Sequence, residues 1–216
     1  MRSFDPRLYV ILDTAQLRGR SCAELAEAII EGGATVLQLR AKAATTREMI
    51  DLGRAVLQVT RRAGIPLIIN DRVDVALAIG ADGVHVGPDD MPAPLARQLL
   101  GSERILGVSA GTVEEAKQAE ADGATYLGVG DVYGTRSKPD AGVPIGIEGL
   151  RQIAQAVRIP VVGIGGITAD NAAAVLEAGA HGIAVISAVM GAIDPLVATR
   201  NLRRIVEAAY RASLDR

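Results

Sequence analysis

Three observations predict a (β/α)8 barrel for this 216-residue chain: a recurring corner motif, eight short apolar strands, and helical patterning between them. The corner is seen in "IIEGGATVLQLR", "LAIGADGVHVG", "AEADGATYLGVG" and "LEAGAHGIAVIS", where a helix end passes through Gly and Ala into an apolar strand. Glycine ends the helix because it reaches positive φ without a Cβ penalty. The strand that follows is apolar on both faces, as a parallel strand covered by helices must be.

In chain order the strands are expected at Leu8 to Leu12, Thr35 to Arg40, Pro66 to Asn70, Gly83 to Val86, Ile105 to Val108, Tyr126 to Gly130, Val161 to Ile164 and Gly182 to Ile186. Between strands the spacing turns helical: Leu150, Ile153, Ala154 and Val157 recur at i, i+3, i+4 and i+7, and Thr168 is expected to cap "ADNAAAVLEAG". A doubly wound open sheet is the rival architecture, but "LDTAQLRG" after the first strand lacks the glycine fingerprint usual there. The expectation is one barrel domain spanning residues 1–216, with its active site at the C-terminal ends of the strands.

Composition narrows the function. Hydrophobic residues make up 49% and charged residues 22%, enough for a packed core and unlike a disordered chain. Lys plus Arg number 23 against 25 for Asp plus Glu, so no broad basic field exists to attract nucleic acid or anionic lipid. Aromatic residues are 2% with no Trp, which disfavours base-stacking platforms and points to a small polar ligand. Cys22 is the only cysteine, which excludes an internal disulfide or thiolate metal cluster; its place in "SCAELAEAII" suggests a buried thiol on a helix. "MRSFDPRLYV" reaches charge quickly, and no apolar run approaches the roughly 18 residues that span a bilayer, so a cytoplasmic protein without a membrane partner is expected.

Polar residues at the strand ends are the candidates for chemistry. In "TVLQLRAK", Gln38, Arg40 and Lys42 share one parity and Leu37, Leu39 and Ala41 the other, so the three polar groups face the barrel axis and its mouth. Arg40 and Lys42 would meet an anion there, the bland alternative being a solvated strand end. Asn70, Asp71 and Asp90 end the next two strands, and carboxylates beside a bound polyphosphate would repel it unless a divalent cation stood between. Mg²⁺ takes one or two carboxylates plus phosphate oxygens, so Asp71 and Asp90 could hold it. Helix capping is the alternative: Asp71 for "RVDVALAIG", and Asp89 or Asp90 for the helix after Pro92; Asp74 reads as a structural first-turn residue.

The longest polar insert, "GVGDVYGTRSKPDAGVPIG", offers Thr135, Ser137 and Lys138 in a phosphate-touching loop or an ordinary surface excursion, and Ser109 in "GVSAG" reaches the same mouth. "VVGIGGITADN" and "GIAVISAVMG" end strands 7 and 8, where barrels frequently bind phosphate through backbone N–H groups; Gly165 and Gly166 permit close approach and Ser187 faces them. Two anion sites across one mouth result: a metal-assisted one suited to a diphosphate, and a neutral cup suited to a monophosphate. His85 and His181 show no partner in sequence, and packing or a backbone hydrogen bond is expected for both.

With these motifs in order over most of its length, the sequence resembles the thiamine phosphate synthase family. That pattern reads Gln-x-Arg-x-Lys, Asn-Asp-Arg, an acidic pair after Gly-Val-His, Gly-Val-Ser, Thr-x-Thr-Lys, Gly-Ile-Gly-Gly-Ile and a Ser-Ala end to strand 8. Two stretches depart from it: Ser137 replaces the second Thr, and "GDVYGT" stands where "GPVFPT" is usual. The resemblance implies that Gln38, Arg40, Lys42, Asn70, Ser109 and Lys138 bind hydroxymethylpyrimidine diphosphate. It implies that Asp71 and Asp90 hold Mg²⁺, and that Thr135, Ser137, Gly166, Ile186 and Ser187 hold thiazole phosphate. The reaction implied needs a leaving group rather than a base, with Arg40, Lys42 and Lys138 stabilising departing pyrophosphate. Its partners would be two small phosphorylated substrates, with a homo-oligomer left open. Two other classes need weighing. A thiazole tautomerase-like or regulatory barrel would need only the monophosphate cup. An aldolase-type barrel would need a Schiff-base lysine, for which Lys42 and Lys138 among phosphate groups are poorly suited.

Overall fold

The structure is a computed structural model that describes residues 4–135 and 143–214. Eight strands, β1 (Leu8–Asp13), β2 (Val36–Arg40), β3 (Leu67–Asn70), β4 (Gly83–Val86), β5 (Ile105–Ala110), β6 (Tyr126–Val129), β7 (Val161–Ile164) and β8 (Gly182–Val185), pair in sequence order, all parallel. The barrel closes where β8 meets β1, with Tyr9 opposite Ala184. Around it lie α1 (Cys22–Glu31), α2 (Thr46–Ala63), α3 (Val73–Ile79), α4 (Ala93–Leu100), α5 (Val113–Ala121), α6 (Gly146–Ala156), α7 (Ala172–Glu177), α8 (Ser187–Met190) and α9 (Pro195–Leu214). The expected (β/α)8 barrel is what forms, each strand end lying within two residues of its expected place.

The strands are buried nearly throughout because helices cover their outer side while their inner side chains fill the barrel. Helix boundaries follow local chemistry. Thr45 and Glu48 form a reciprocal capping box at the start of α2, and Gly64, at φ 75°, ends that helix in the left-handed conformation that only glycine adopts cheaply. In α6, Leu150 and Ile153 face the core as their spacing predicts. Cys22 opens α1 and is buried, and burial pushes its thiol up. Thr168 is a correction: α7 starts four residues later, with Asn171 at the cap position, and the Asn171 side chain accepts from the Thr168 N–H. The "TADN" stretch forms a turn before the helix instead of its first turn.

The N-terminal end of the barrel is closed by the chain entering β1. The Phe4 ring packs 4.8 Å from that of Tyr126, and a Cβ at Gly182 would strike the Pro6 carbonyl. Inside the barrel, a Cβ at Gly107 would collide with the Tyr126 phenol and the His85 ring, so this glycine leaves the room those two side chains occupy. Gly107→Ala should therefore overpack the interior and lower stability by about 1–3 kcal/mol, read as a lower urea midpoint with an unchanged m-value.

Candidate active site

At the C-terminal ends of the strands lies a cavity of about 460 Å³, whose lining includes Arg40, Lys42, Asn70, Asp71, Asp90, Ser109 and Thr135. These seven residues, all singled out from sequence, share one cavity, and Gly165, Asp89 and His85 also line it. Below it, a space of about 20 Å³ within the barrel is lined by Gln38 together with Tyr9, His85, Ser109 and Tyr126. Gly166, Ile186 and Ser187 stand on the β7 and β8 side, outside the lining of the large cavity. Ser137 and Lys138 fall outside the described residues.

The parity of β2 places its polar side chains as expected, inside the barrel and at its mouth. Gln38 is buried, and its Nε2 donates to the Tyr9 hydroxyl at 2.8 Å. Arg40, one rung higher, donates from Nη1 to Asp13 Oδ2 at 2.6 Å, and the two residues are register partners in the β1–β2 ladder. Both are more than nine-tenths buried. Asp13 spends its other oxygen on the Ala15 N–H at 3.0 Å, so one carboxylate both turns the chain after β1 and anchors the guanidinium. The Arg40 Nε is buried with no hydrogen-bond partner among the described residues. A buried charged donor left in this state is costly, and an anion in the cavity would satisfy it. Asp13 was not foreseen from sequence; the available signal was its place at the end of strand 1, the rim position from which its neighbours on the next strands were chosen.

Next to this pair, Lys42 Nζ lies 2.9 Å from Asp71 Oδ2. Asp71 adopts φ 64°, a left-handed backbone rare outside glycine, and its N–H donates to the His85 carbonyl at 2.8 Å. Burial pushes the Asp71 carboxyl above its ordinary value; the hydrogen bond from Lys42 pulls it down, and the adjacent Asp90 carboxyl pushes it up again. In return, the Asp71 carboxylate holds the Lys42 ammonium above its usual range. The net shift at Asp71 is upward, with burial as its largest cause and the neighbouring Asp90 adding to it against the pull of Lys42.

Helix capping does not account for these acids. Arg72 holds the cap position of α3 and Pro92 that of α4, neither with a side-chain cap bond, and Asp90 Oδ2 accepts from the Gly87 N–H at 2.7 Å within the turn after β4. Asp89 is exposed on the cavity rim. Asp74 pairs with Arg72 at 2.6 Å in the first turn of α3, the structural role expected of it.

Beneath the charged mouth, a chain of hydrogen bonds crosses the barrel. It runs from Gln38 to Tyr9, from Tyr9 to Tyr126 at 2.8 Å, from Tyr126 to His85 Nδ1 at 2.9 Å, and from His85 Nε2 to Ser109 Oγ at 3.0 Å. Burial pushes both phenols up, so they remain neutral and able to donate. His85 is a correction: packing or a backbone bond was expected, but both ring nitrogens have side-chain partners, supplied by strands β5 and β6. Partners 41 and 24 residues away leave no local mark in sequence. His181 does take a backbone bond, from the Val161 N–H at 3.2 Å.

On the opposite rim, the backbone leaving β6 packs onto that leaving β7: the Val132 N–H donates to the Ile164 carbonyl at 2.9 Å and the Tyr133 N–H to the Gly165 carbonyl at 3.1 Å. A Cβ at Gly165 would run into the Asp131 carboxylate, and one at Gly166 into the Gly134 carbonyl and the Tyr133 side chain. Both glycines have positive φ, 105° and 63°. Their small size therefore serves the seam between two rim segments. Ile186 is buried at the cap position of α8 and Ser187, its first residue, is exposed.

A closed (β/α)8 barrel with a cavity at its C-terminal mouth, lined by two cations and several carboxylates, defines a TIM-barrel enzyme. The family model described as "Thiamine monophosphate synthase" matches residues 8–189. A thiamine-phosphate synthase of Moorella thermoacetica is 58% identical over 202 residues, covering 94% of this chain and 96% of that one. The thiamine-phosphate synthase of Chloroflexus aurantiacus is 57% identical over 210 residues, 97% of each. The solved thiamine phosphate pyrophosphorylase of Pyrococcus furiosus superposes with a TM-score of 0.87 at 49% identity, covering 95% of this chain and 97% of that chain. The chain belongs to the thiamine monophosphate synthase family.

The buried Asp13–Arg40 pair is the part of the site whose loss is most easily measured. Asp13→Ala would strand a guanidinium in the barrel wall and should cost about 3–5 kcal/mol of stability. The check is equilibrium urea unfolding.

Proposed function

We infer that this protein is a transferase that condenses 4-amino-2-methyl-5-hydroxymethylpyrimidine diphosphate with 4-methyl-5-(2-phosphoethyl)thiazole, giving thiamine phosphate and pyrophosphate. The bond between the pyrimidine methylene carbon and the diphosphate oxygen breaks, and a bond from that carbon to the thiazole nitrogen forms. The observation that carries the reading, beside family membership, is the pairing of Arg40 and Lys42 with Asp71 and Asp90 on one cavity. A barrel that needed only a monophosphate cup would have no use for this charged mouth, and a buried ion-paired guanidinium beside an ion-paired ammonium does not make a Schiff-base site.

The donor set fits a hard divalent cation. Among the described residues no group of three His, Cys, Asp or Glu could hold a metal by itself, while two adjacent carboxyls face open cavity. That is the partial ligand set Mg²⁺ uses when substrate phosphate and water complete its shell. We propose that Asp71 and Asp90 hold Mg²⁺, which when bound would supply charge neutralisation for the leaving diphosphate. Arg40, with its unpartnered Nε, and Lys42 would bind diphosphate oxygens, and Lys138 would join them. As pyrophosphate departs, positive charge develops on the pyrimidine methylene carbon and negative charge on the leaving oxygens. Fixed cations stabilise the second. Gln38, Asn70 and Ser109 would orient the pyrimidine diphosphate, and Thr135, Ser137, Gly166, Ile186 and Ser187 the thiazole phosphate. Positioning of the two reactants supplies the remaining advantage.

No helix of the described residues is long and apolar enough to cross a membrane, and both substrates are small and polar. We propose that the protein works in the cytoplasm, as one barrel domain over residues 1–216 that is compatible with a homo-oligomer.

Incubation with both substrates and Mg²⁺ should yield thiamine phosphate and pyrophosphate. Asp71→Asn or Asp90→Asn should lower kcat by about 100-fold or more, the loss typical of one electrostatic transition-state contact. Full activity in excess chelator would contradict the metal assignment.

A further inference from the structure

The carboxylate of Asp131 is buried at the edge of the mouth cavity, 6% exposed, just past the end of β6. Among the described residues it has no ion-pair partner. A buried carboxylate must find donors, and it finds them in the backbone that follows: Oδ1 accepts from the Gly134 N–H at 3.0 Å and Oδ2 from the Thr135 N–H at 2.6 Å. Gly134 makes the reversal possible by adopting φ 92°. Both carboxylate oxygens are thus committed to the chain leading to Thr135.

The same residue holds the far end of the connection between β6 and α6. Its backbone carbonyl accepts from the Ile145 N–H at 2.8 Å, and the Val132 carbonyl beside it accepts from the Gly146 N–H at 3.1 Å. Across the rim, Val132 and Tyr133 are bonded to Ile164 and Gly165, and the Asp131 carboxylate fills the space a Cβ at Gly165 would need. Three separate stretches of chain meet at this side chain: the departure from β6, the approach to α6 and the turn after β7.

We propose that Asp131 is a positioning residue for the reaction inferred above: by clamping the N–H groups of Gly134 and Thr135, it sets where Thr135 stands in the mouth relative to the β7 rim. The proposal rests on the assignment of Thr135 to the thiazole phosphate. Asp131 touches neither substrate in this account and acts through Thr135. Displacement of a binding group by about 1 Å can cost on the order of 100-fold in rate, so the clamp matters for turnover. Asn is an informative replacement, because it keeps the shape and one acceptor oxygen but turns an NH₂ toward the second backbone N–H.

The test compares wild type, Asp131→Asn, Asp131→Ala, Thr135→Ala and the Asp131→Ala/Thr135→Ala double variant. For both Asp131 variants, KM for thiazole phosphate should rise about tenfold or more, as expected when Thr135 is displaced from its binding position. KM for pyrimidine diphosphate should stay within about threefold. The double variant should be little worse than Thr135→Ala alone, since residues acting through one contact do not add. Equal rises in both KM values, or fully additive losses in the double variant, would overturn the proposal. Amide hydrogen exchange decides it independently of turnover: in Asp131→Asn, exchange at Gly134, Thr135 and Ile145 should quicken while β1 to β5 keep wild-type protection. Unchanged exchange at those amides would overturn the clamp. If the wild type makes no thiamine phosphate, the functional reading fails, and the exchange result still confirms or refutes the clamp.

Discussion

A closed parallel barrel forces every second side chain of each strand inward, and the buried Asp13–Arg40 pair is the consequence on which the mouth depends. A guanidinium carried on the last residue of β2 cannot turn to solvent without shifting the whole strand by one residue, which would expose Leu37 and Leu39 to the barrel interior. It stays inside only because β1 presents a carboxylate on the same rung, 2.6 Å away. With that charge neutralised, the cavity above can be polar while the strands beneath it remain in register. Arg40 Nε is a buried donor without a hydrogen-bond partner among the described residues, and it belongs to a residue that lines the cavity.

The remaining charges obey the same constraint with less burial. Lys42 pairs with Asp71 at 2.9 Å, and Asp90 lines the same cavity beside that pair. A diphosphate alone would add repulsion to this corner; a divalent cation would relieve it. Substrate and metal are therefore expected to bind as a unit. The hydrogen-bonded chain below, from Gln38 through two phenols and His85 to Ser109, closes the floor of the mouth. Opposite, the rim built by Gly165, Gly166 and the segment after β6 relies on backbone contact, so its geometry follows from glycine and from Asp131 rather than from long side chains.

Much of this was legible in sequence where the cause is local. Period-2 alternation in "TVLQLRAK" placed Gln38 and Arg40 on the inner side, Gly-Ala corners marked strands 2, 4, 6 and 8, and short apolar runs marked the other four. Asp71 and Asp90 were placed at the ends of strands 3 and 4 and do meet on one cavity. Partnerships were not legible. Asp13 is 27 residues from Arg40, and Tyr126 is 117 from Tyr9, separations over which only the closed register decides who meets whom. Gly166 was read as room for a phosphate, yet its missing Cβ leaves room for Gly134 and Tyr133. Asp131 was seen only as part of an unusual loop, since a carboxylate that binds backbone N–H groups resembles any turn aspartate until its burial is known.

The account stands on the claim that the mouth is built for a diphosphate and a divalent cation together, and calorimetric titration of the wild-type protein with pyrimidine diphosphate tests it most directly. In millimolar Mg²⁺ the substrate should bind with a measurable heat, and in excess chelator its affinity should fall by about tenfold or more, because Asp71 and Asp90 then repel it. Equal affinity in the two conditions would contradict the account.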